Sequence, residues 1–127
     1  MDIDEGVSRD DIPLMMAMQN HRHWVDEFAD ALKDSDLTRM VAIAESPCRF
    51  ERWYQGSGSG RYGKTPAFES VGKSHVEVHE LASTLMALAE RGEGNAARAR
   101  LPELLAACDA LIGQLKQLIG SLTAVSQ

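Results

Sequence analysis

Apolar positions along the chain recur at alternating steps of four and three, the spacing of a helix that buries one face. Leu14, Met18, His21, Val25, Phe28 and Leu32 form the first such seam, predicting a helix from about Pro13 to about Leu32. Asp10 or Asp11 is placed to cap its start, with Pro13 in the first turn, and Lys33-Asp34-Ser35-Asp36 ends it. A weaker helical stretch, Leu37 to Glu45, breaks at Ser46-Pro47. Pro47 then opens a short helix, Cys48 to Tyr54, with Ser46 as its N-cap. Gln55 to Lys64, with glycine at 56, 58, 60 and 63, reads as a loop. The next long helix runs from about Pro66 to about Arg91 on the stripe Phe68, Val71, His75, Val78, Ala82, Leu85 and Ala89. Gly92-Glu93-Gly94 breaks it. The last helix carries Leu101, Leu104, Cys108, Leu111, Leu115, Leu118 and Leu122, with Leu105, Ile112 and Ile119 beside them, and Pro102 suggests a kink or a start nearby. Strand patterns are nearly absent. The expected fold is therefore all-α, an up-and-down bundle of four to five helices with a short helix bearing a cysteine.

Composition sharpens this picture by exclusion. At 127 residues, 44% hydrophobic and 25% charged, the chain is long enough for one domain with a core of its own. The expected division is an acidic arm over residues 1–10, holding Asp2, Asp4, Glu5 and Asp10, and one helical domain over 11–127. A net charge of −6 disfavours nucleic acid or an anionic membrane as partner. No apolar run is long enough to span a bilayer and no basic-then-apolar signal opens the chain, so a cytoplasmic location without membrane insertion is expected. Two cysteines, Cys48 and Cys108, are too few for a secreted disulfide framework.

The four histidines are informative by position. His21 and His75 lie within apolar seams, and His79 follows His75 at i+4 on the same helical face. Bundle seams point inward, so three imidazoles are expected to converge. A buried imidazole must satisfy both ring nitrogens, and a metal satisfies one. Cys48, expected at a helix start where the dipole favours thiolate, supplies a fourth donor. Three imidazoles and a thiolate make a closed tetrahedral zinc site, whereas catalytic zinc keeps an open position. His23, two residues after His21, is expected to face solvent, and Cys108, among leucines, to be core. Trp24 and Trp53 read as core or interface aromatics.

Three segments carry a family resemblance: His21-Arg22-His23-Trp24, Cys48-Arg49-Phe50-Glu51-Arg52-Trp53 and His75-Val76-Glu77-Val78-His79. In that order they resemble the chemoreceptor zinc-binding (CZB) domain, with its His-x-x-Trp, Cys-x-Phe/Leu-Gly-x-Trp and His-x-x-x-His pattern. The likeness covers about Asn20 to Leu85 by motif. It implies zinc held by His21, Cys48, His75 and His79 in a helical bundle that is often a homodimer. It further implies a signalling role beside a chemoreceptor or diguanylate cyclase partner, responding to zinc or to oxidants such as hypochlorous acid, with Cys48 as the redox trigger. Glu51 stands where the family usually has glycine and is expected to touch no ligand.

Two other chemistries are legible. His75-Val76-Glu77-Val78-His79 has the histidine spacing of the metalloprotease HExxH motif, but Glu77 sits two residues after His75 and falls on another face. A zinc hydrolase would need Cys48 off the metal, with Glu77 or Glu80 reaching a bound water. Gly58 to Thr65 satisfies the P-loop expression G-x-x-x-x-G-K-[ST], yet no buried strand precedes it and no sheet is available. Nucleotide binding is not expected. The remaining alternative to a sensor is a structural bundle that dimerises another polypeptide. The expected function is a sensory zinc domain without catalysis. No cyclase, kinase or receptor hairpin is legible, so its output is expected in a partner or in further sequence.

Overall fold

The computed structural model describes residues 12–46 and 48–125, with the side chains of 57, 61 and 121–125 left aside. The acidic arm, the capping role of Asp10 or Asp11 and the role of Pro47 lie outside these residues. The described elements are α1 (Ile12–Lys33), α2 (Leu37–Ala44), α3 (Arg49–Trp53), a π-type turn (Tyr54–Gly58), α4 (Ser59–Tyr62), α5 (Pro66–Glu90) and α6 (Gly94–Val125). Among the described residues there is no strand, and the fold is all-α.

Each long helix buries most of its predicted seam, with Met18 and Ala89 half-buried and Leu122 outside the described side chains. On α1, Leu14, His21, Val25, Phe28 and Leu32 are buried; on α5, Phe68, Val71, His75, Val78, Ala82 and Leu85 are. α6 adds Leu101, Leu104, Cys108, Leu111, Leu115 and Leu118, whereas Leu105 is exposed rather than flanking the seam. Phe28, Leu14, Leu85 and Leu104 are fully enclosed, each contributing about 1.5–3 kcal/mol relative to exposure. α5 and α6 form a hairpin, α1 packs on α6, and α2 and α3 pack against α1, with α2 also touching α5.

The turns explain how the seams are brought together. After α1, Ser35 takes a left-handed φ of 56° and the Asp36 amide donates back to the Ala31 carbonyl at 2.9 Å. After α5, Gly92 does the same job at φ 82°, with the Glu93 amide donating to the Leu88 carbonyl at 2.8 Å. Both are six-to-one closures that satisfy orphan carbonyls and reverse the chain within a few residues. The start of α5 is capped by Thr65, whose hydroxyl accepts from the Phe68 amide at 3.3 Å, with Pro66 in the first turn.

Three expectations are corrected. Cys48, not Ser46, occupies the N-cap of α3; the Ser46 hydroxyl donates instead to the Ile43 carbonyl at the end of α2. Pro102 lies inside the continuous α6, so no helix starts there, and buried Ala97, Leu101 and Leu104 on either side hold the helix to the core. The glycine-rich stretch is largely helical, as the π-type turn and α4. Packing overrides propensity here: Gly58 is buried under the Trp53 indole, where a Cβ would come within 2.8 Å of the ring. Tyr62 lies 6.1 Å from the same ring, centroid to centroid. The stretch joins helix to helix with no strand before it, and a phosphate cradle has no support in this geometry.

A second close approach fastens this segment to α5. The Tyr54 hydroxyl donates to the Phe68 carbonyl at 2.8 Å, and its ring stacks on Phe68 with centroids 4.0 Å apart. It can do so because position 72 is glycine, where any Cβ would overlap the Tyr54 hydroxyl. Gly72→Ala is expected to push Tyr54 off α5 and to cost about 1–3 kcal/mol by overpacking. Urea unfolding, compared with a Gly113→Ala control in open space, checks this; equal effects of the two would refute it.

Candidate metal centre

Three helical regions deliver four donors to one point in the core. His21 projects from the middle of α1, Cys48 from the start of α3, and His75 and His79 from successive turns of α5. His21 and His75 are 4% and 3% exposed, while Cys48 and His79 are half-buried. One donor atom from each lies within 4.8 Å of all the others. The four candidate residues named from the sequence are therefore brought together. His23 is not: its side chain is 76% exposed and faces Glu27 at 3.5 Å. Cys108 is buried on α6 and stands apart from the cluster, and Glu77 and Glu80 are exposed.

The outward nitrogens fix the orientation of two rings. His21 Nδ1 lies 2.9 Å from the Ala17 carbonyl oxygen, and His75 Nδ1 lies 3.1 Å from Glu51 Oε1. Carbonyl and carboxylate oxygens only accept, so each Nδ1 carries the proton and each Nε2 presents a lone pair. Those lone-pair atoms lie 3.7 Å (His21) and 3.5 Å (His75) from Cys48 Sγ. Zinc at its usual distances of about 2.0–2.1 Å from nitrogen and 2.3 Å from sulfur gives a nitrogen–sulfur tetrahedral edge of about 3.6 Å. The spacing fits that edge. His79 Nε2 is buried with no hydrogen-bond partner, an orphan that a cation at the centre would satisfy.

Aromatic rings enclose the cluster. Phe50 meets His21 and His75 edge-on with centroids 5.5 and 5.0 Å apart. Trp24 packs against His79 at 4.9 Å while its indole N–H donates to the Ile43 carbonyl at 2.9 Å, tying α1 to α2. Burial, together with the other two imidazoles, holds His75 down to about 3; burial and His21 hold His79 down to about 4, and burial lowers His21 as well. All three rings are thus neutral at physiological pH, the form that ligates metal. Burial pushes the Cys48 thiol up, more than the amides of Glu51 and Phe50 pull it down. This corrects the expectation that a helix start alone favours thiolate: α3 has five residues, and Cys48 precedes its first turn. A metal ion would have to draw the thiol proton off.

Sequence reasoning missed Glu51, which was expected to touch no ligand and instead meets His75. The available signal was its position three residues after Cys48, one turn along a short helix. It missed Phe50 as well, whose ring covers two of the imidazoles. Beside the cluster a cleft of about 600 Å³ opens onto His21, Cys48 and His79, with Asn20 and Arg49 on its walls.

Acid sensitivity of the metal-free protein follows from the lowered histidines. Their folded-state values lie below the unfolded value of 6.5, so the unfolded chain binds more protons between the two. Stability is complete above pH 6.5 and is lost as pH falls from there toward 4 and then 3, by up to about 1.4 kcal/mol per pH unit for each histidine concerned. Urea unfolding in chelator at pH 7.5 and 5.5 should show the loss. Replacing His75 and His79 by Phe should flatten it; the same slope in that variant would contradict the assignment.

No curated protein and no solved structure gives a significant match to the chain. A family model described as the chemoreceptor zinc-binding domain (CZB) matches residues 21–86, just over half of the chain and the stretch that holds all four donors. The model's match and the convergence of three imidazoles and a thiol agree, and the chain belongs to the chemoreceptor zinc-binding domain family.

Proposed function

We propose that the chain is a non-catalytic sensory domain in which His21, Cys48, His75 and His79 hold one zinc ion in a closed shell. The observation that carries the reading is the convergence of one donor atom from each of the four residues within 4.8 Å, with His79 Nε2 buried and unpartnered. Bound zinc would supply Lewis acidity that stabilises the Cys48 thiolate and coordinate bonds that tie α1, α3 and α5 together. Glu77 and Glu80 are exposed and neither is among the four converging donors, and a closed four-donor shell leaves no position for a hydrolytic water.

Signalling in this reading is a change in how α3 sits on the bundle. With the centre intact, Cys48 anchors the start of α3 beside His21 and His75; with Cys48 released, that anchor is gone and Phe50, Glu51, Trp53 and Tyr54 retain the segment. Cys48 borders the 600 Å³ cleft, which gives a small oxidant a route to sulfur. Hypochlorous acid would convert the thiolate to sulfenic acid, the sulfur giving up two electrons and chloride leaving, and sulfenic acid is a poor zinc ligand. The domain over residues 11–127 acts in the cytoplasm, where a reduced thiol persists. Among the described residues no helix is long and apolar enough to cross a membrane. Exposed Ile12, Met15 and Met16 form an apolar patch on α1 suited to a second copy, so the working unit is a homodimer that reports to a chemoreceptor or a diguanylate cyclase.

Native mass spectrometry of the purified protein, with and without chelator, is expected to show one zinc per chain and a dimer. X-ray absorption should report three nitrogens and one sulfur. Cys48→Ala should retain zinc weakly through the histidines, with affinity lowered at least about 100-fold, and lose any response to hypochlorous acid. A chain that takes up no zinc, or an undiminished oxidant response in Cys48→Ala, would overturn the respective part.

A further inference from the structure

We propose that Glu51 is a positioning residue for this centre, holding the His75 ring in the one tautomer and orientation that aims Nε2 at the other donors. The inference rests on the zinc reading above. Its basis is a chain of three side chains. Gln55, one turn along, donates its amide to Glu51 Oε2, and Glu51 Oε1 in turn lies 3.1 Å from His75 Nδ1. His75 Nε2 then faces Cys48 Sγ at 3.5 Å. The Glu51 carboxylate is thus held from one side by Gln55 and faces His75 with the other.

Position matters as much as contact. Cys48 and Glu51 are three residues apart at the start of α3, so one turn of helix delivers both a donor to the centre and a carboxylate to the back of a second donor. α3 thereby grips His75 from two sides, through Sγ in front and the carboxylate behind. His21 has its Nδ1 satisfied by Ala17 of its own helix, which holds the ring but links nothing else. The Glu51 contact joins two separate elements, so it couples the seating of α3 to the orientation of a donor on α5. Carboxylates behind metal-bound imidazoles fix the tautomer and raise the basicity of the nitrogen that ligates, and their loss weakens metal binding by roughly 10–100-fold.

Glu51 is partly exposed, with 41% of its side chain accessible, so its replacement leaves the core intact. Three variants test the role: Glu51→Ala, Glu51→Gln and Gln55→Ala. In metal-free protein at pH 7.5, two-bond nitrogen–proton correlation spectra should place the His75 proton on Nδ1 in the natural sequence. In Glu51→Ala a large Nε2-protonated population should appear. Glu51→Gln keeps an accepting oxygen and is expected to retain the Nδ1 tautomer. Chelator competition should give zinc affinity about 10–100-fold lower for Glu51→Ala and a smaller loss for Glu51→Gln and for Gln55→Ala. A merely structural role would shift unfolding midpoints without moving the tautomer. An unchanged tautomer in Glu51→Ala, or unchanged zinc affinity, overturns the proposal while zinc binding itself stands. Failure of the natural sequence to bind zinc overturns the reading it rests on, and the two failures are told apart by that measurement alone.

Discussion

An imidazole enclosed by apolar side chains has two nitrogens to satisfy and no water to do it. That constraint organises the interior of this protein. At His21 and His75 the outer nitrogen is engaged by an acceptor, a carbonyl in one case and a carboxylate in the other, and the inner nitrogen is left to face a shared centre. At His79 the buried Nε2 has nothing. Each unpaired polar atom of this kind costs about 1–3 kcal/mol, so the cluster is a place where the fold tolerates a penalty that a ligand can remove. Chemistry and packing are therefore not separable here, because the rings that would serve a metal occupy positions an ordinary bundle fills with leucine.

The rest of the molecule is arranged to hold that point. The long helices α1, α5 and α6 provide a rigid frame, and the seams that make them pack are the same seams that carry His21 and His75. The smaller elements behave differently. α3, the turn after it and α4 are attached through a few specific contacts: the Tyr54 and Trp53 rings on Phe68, Phe50 against His21 and His75, and the Glu51 carboxylate beside His75. A rigid frame bearing three donors and a lightly attached segment bearing the fourth is a division suited to switching, since the low-stability part of a fold is where a binding event can change most.

Much of this was legible from residue spacing. The i, i+4 relation of His75 and His79 fixes their common face whatever the helix packs against, and His21 is separated from His23 by helical periodicity alone. The all-α class follows from seams of period 3.6 and no others. What escaped was whatever depends on contacts between segments. The glycines of 56–63 have low helix propensity, and only the burial of Trp53 turns that stretch into helical turns. The ionisation of Cys48 was read from a local dipole, whereas burial in the folded chain decides its direction. Glu51 is a charged residue on a short helix, the pattern of a solvated surface, and nothing local says that its carboxylate meets a ring on α5. Spacing reports faces; it does not report which faces meet.

One numerical feature of the cluster carries a topological consequence. Cys48 lies 27 residues after His21 and 27 residues before His75. In the proposed centre the sulfur would close two chain loops of equal length, much as a pair of disulfides would. For a crosslink across such a loop, the chain-entropy estimate is about 3–4 kcal/mol. The histidines of α5, four residues apart, add almost nothing of this kind because the helix already joins them. Removing the sulfur would therefore merge the two loops into one, from His21 to His75, which the three histidines would still close around the ion. The effect lies in the polymer and not in the coordination chemistry: loss of the middle donor slackens the backbone on both sides of α3 together, whereas loss of His21 opens one loop and leaves the other closed.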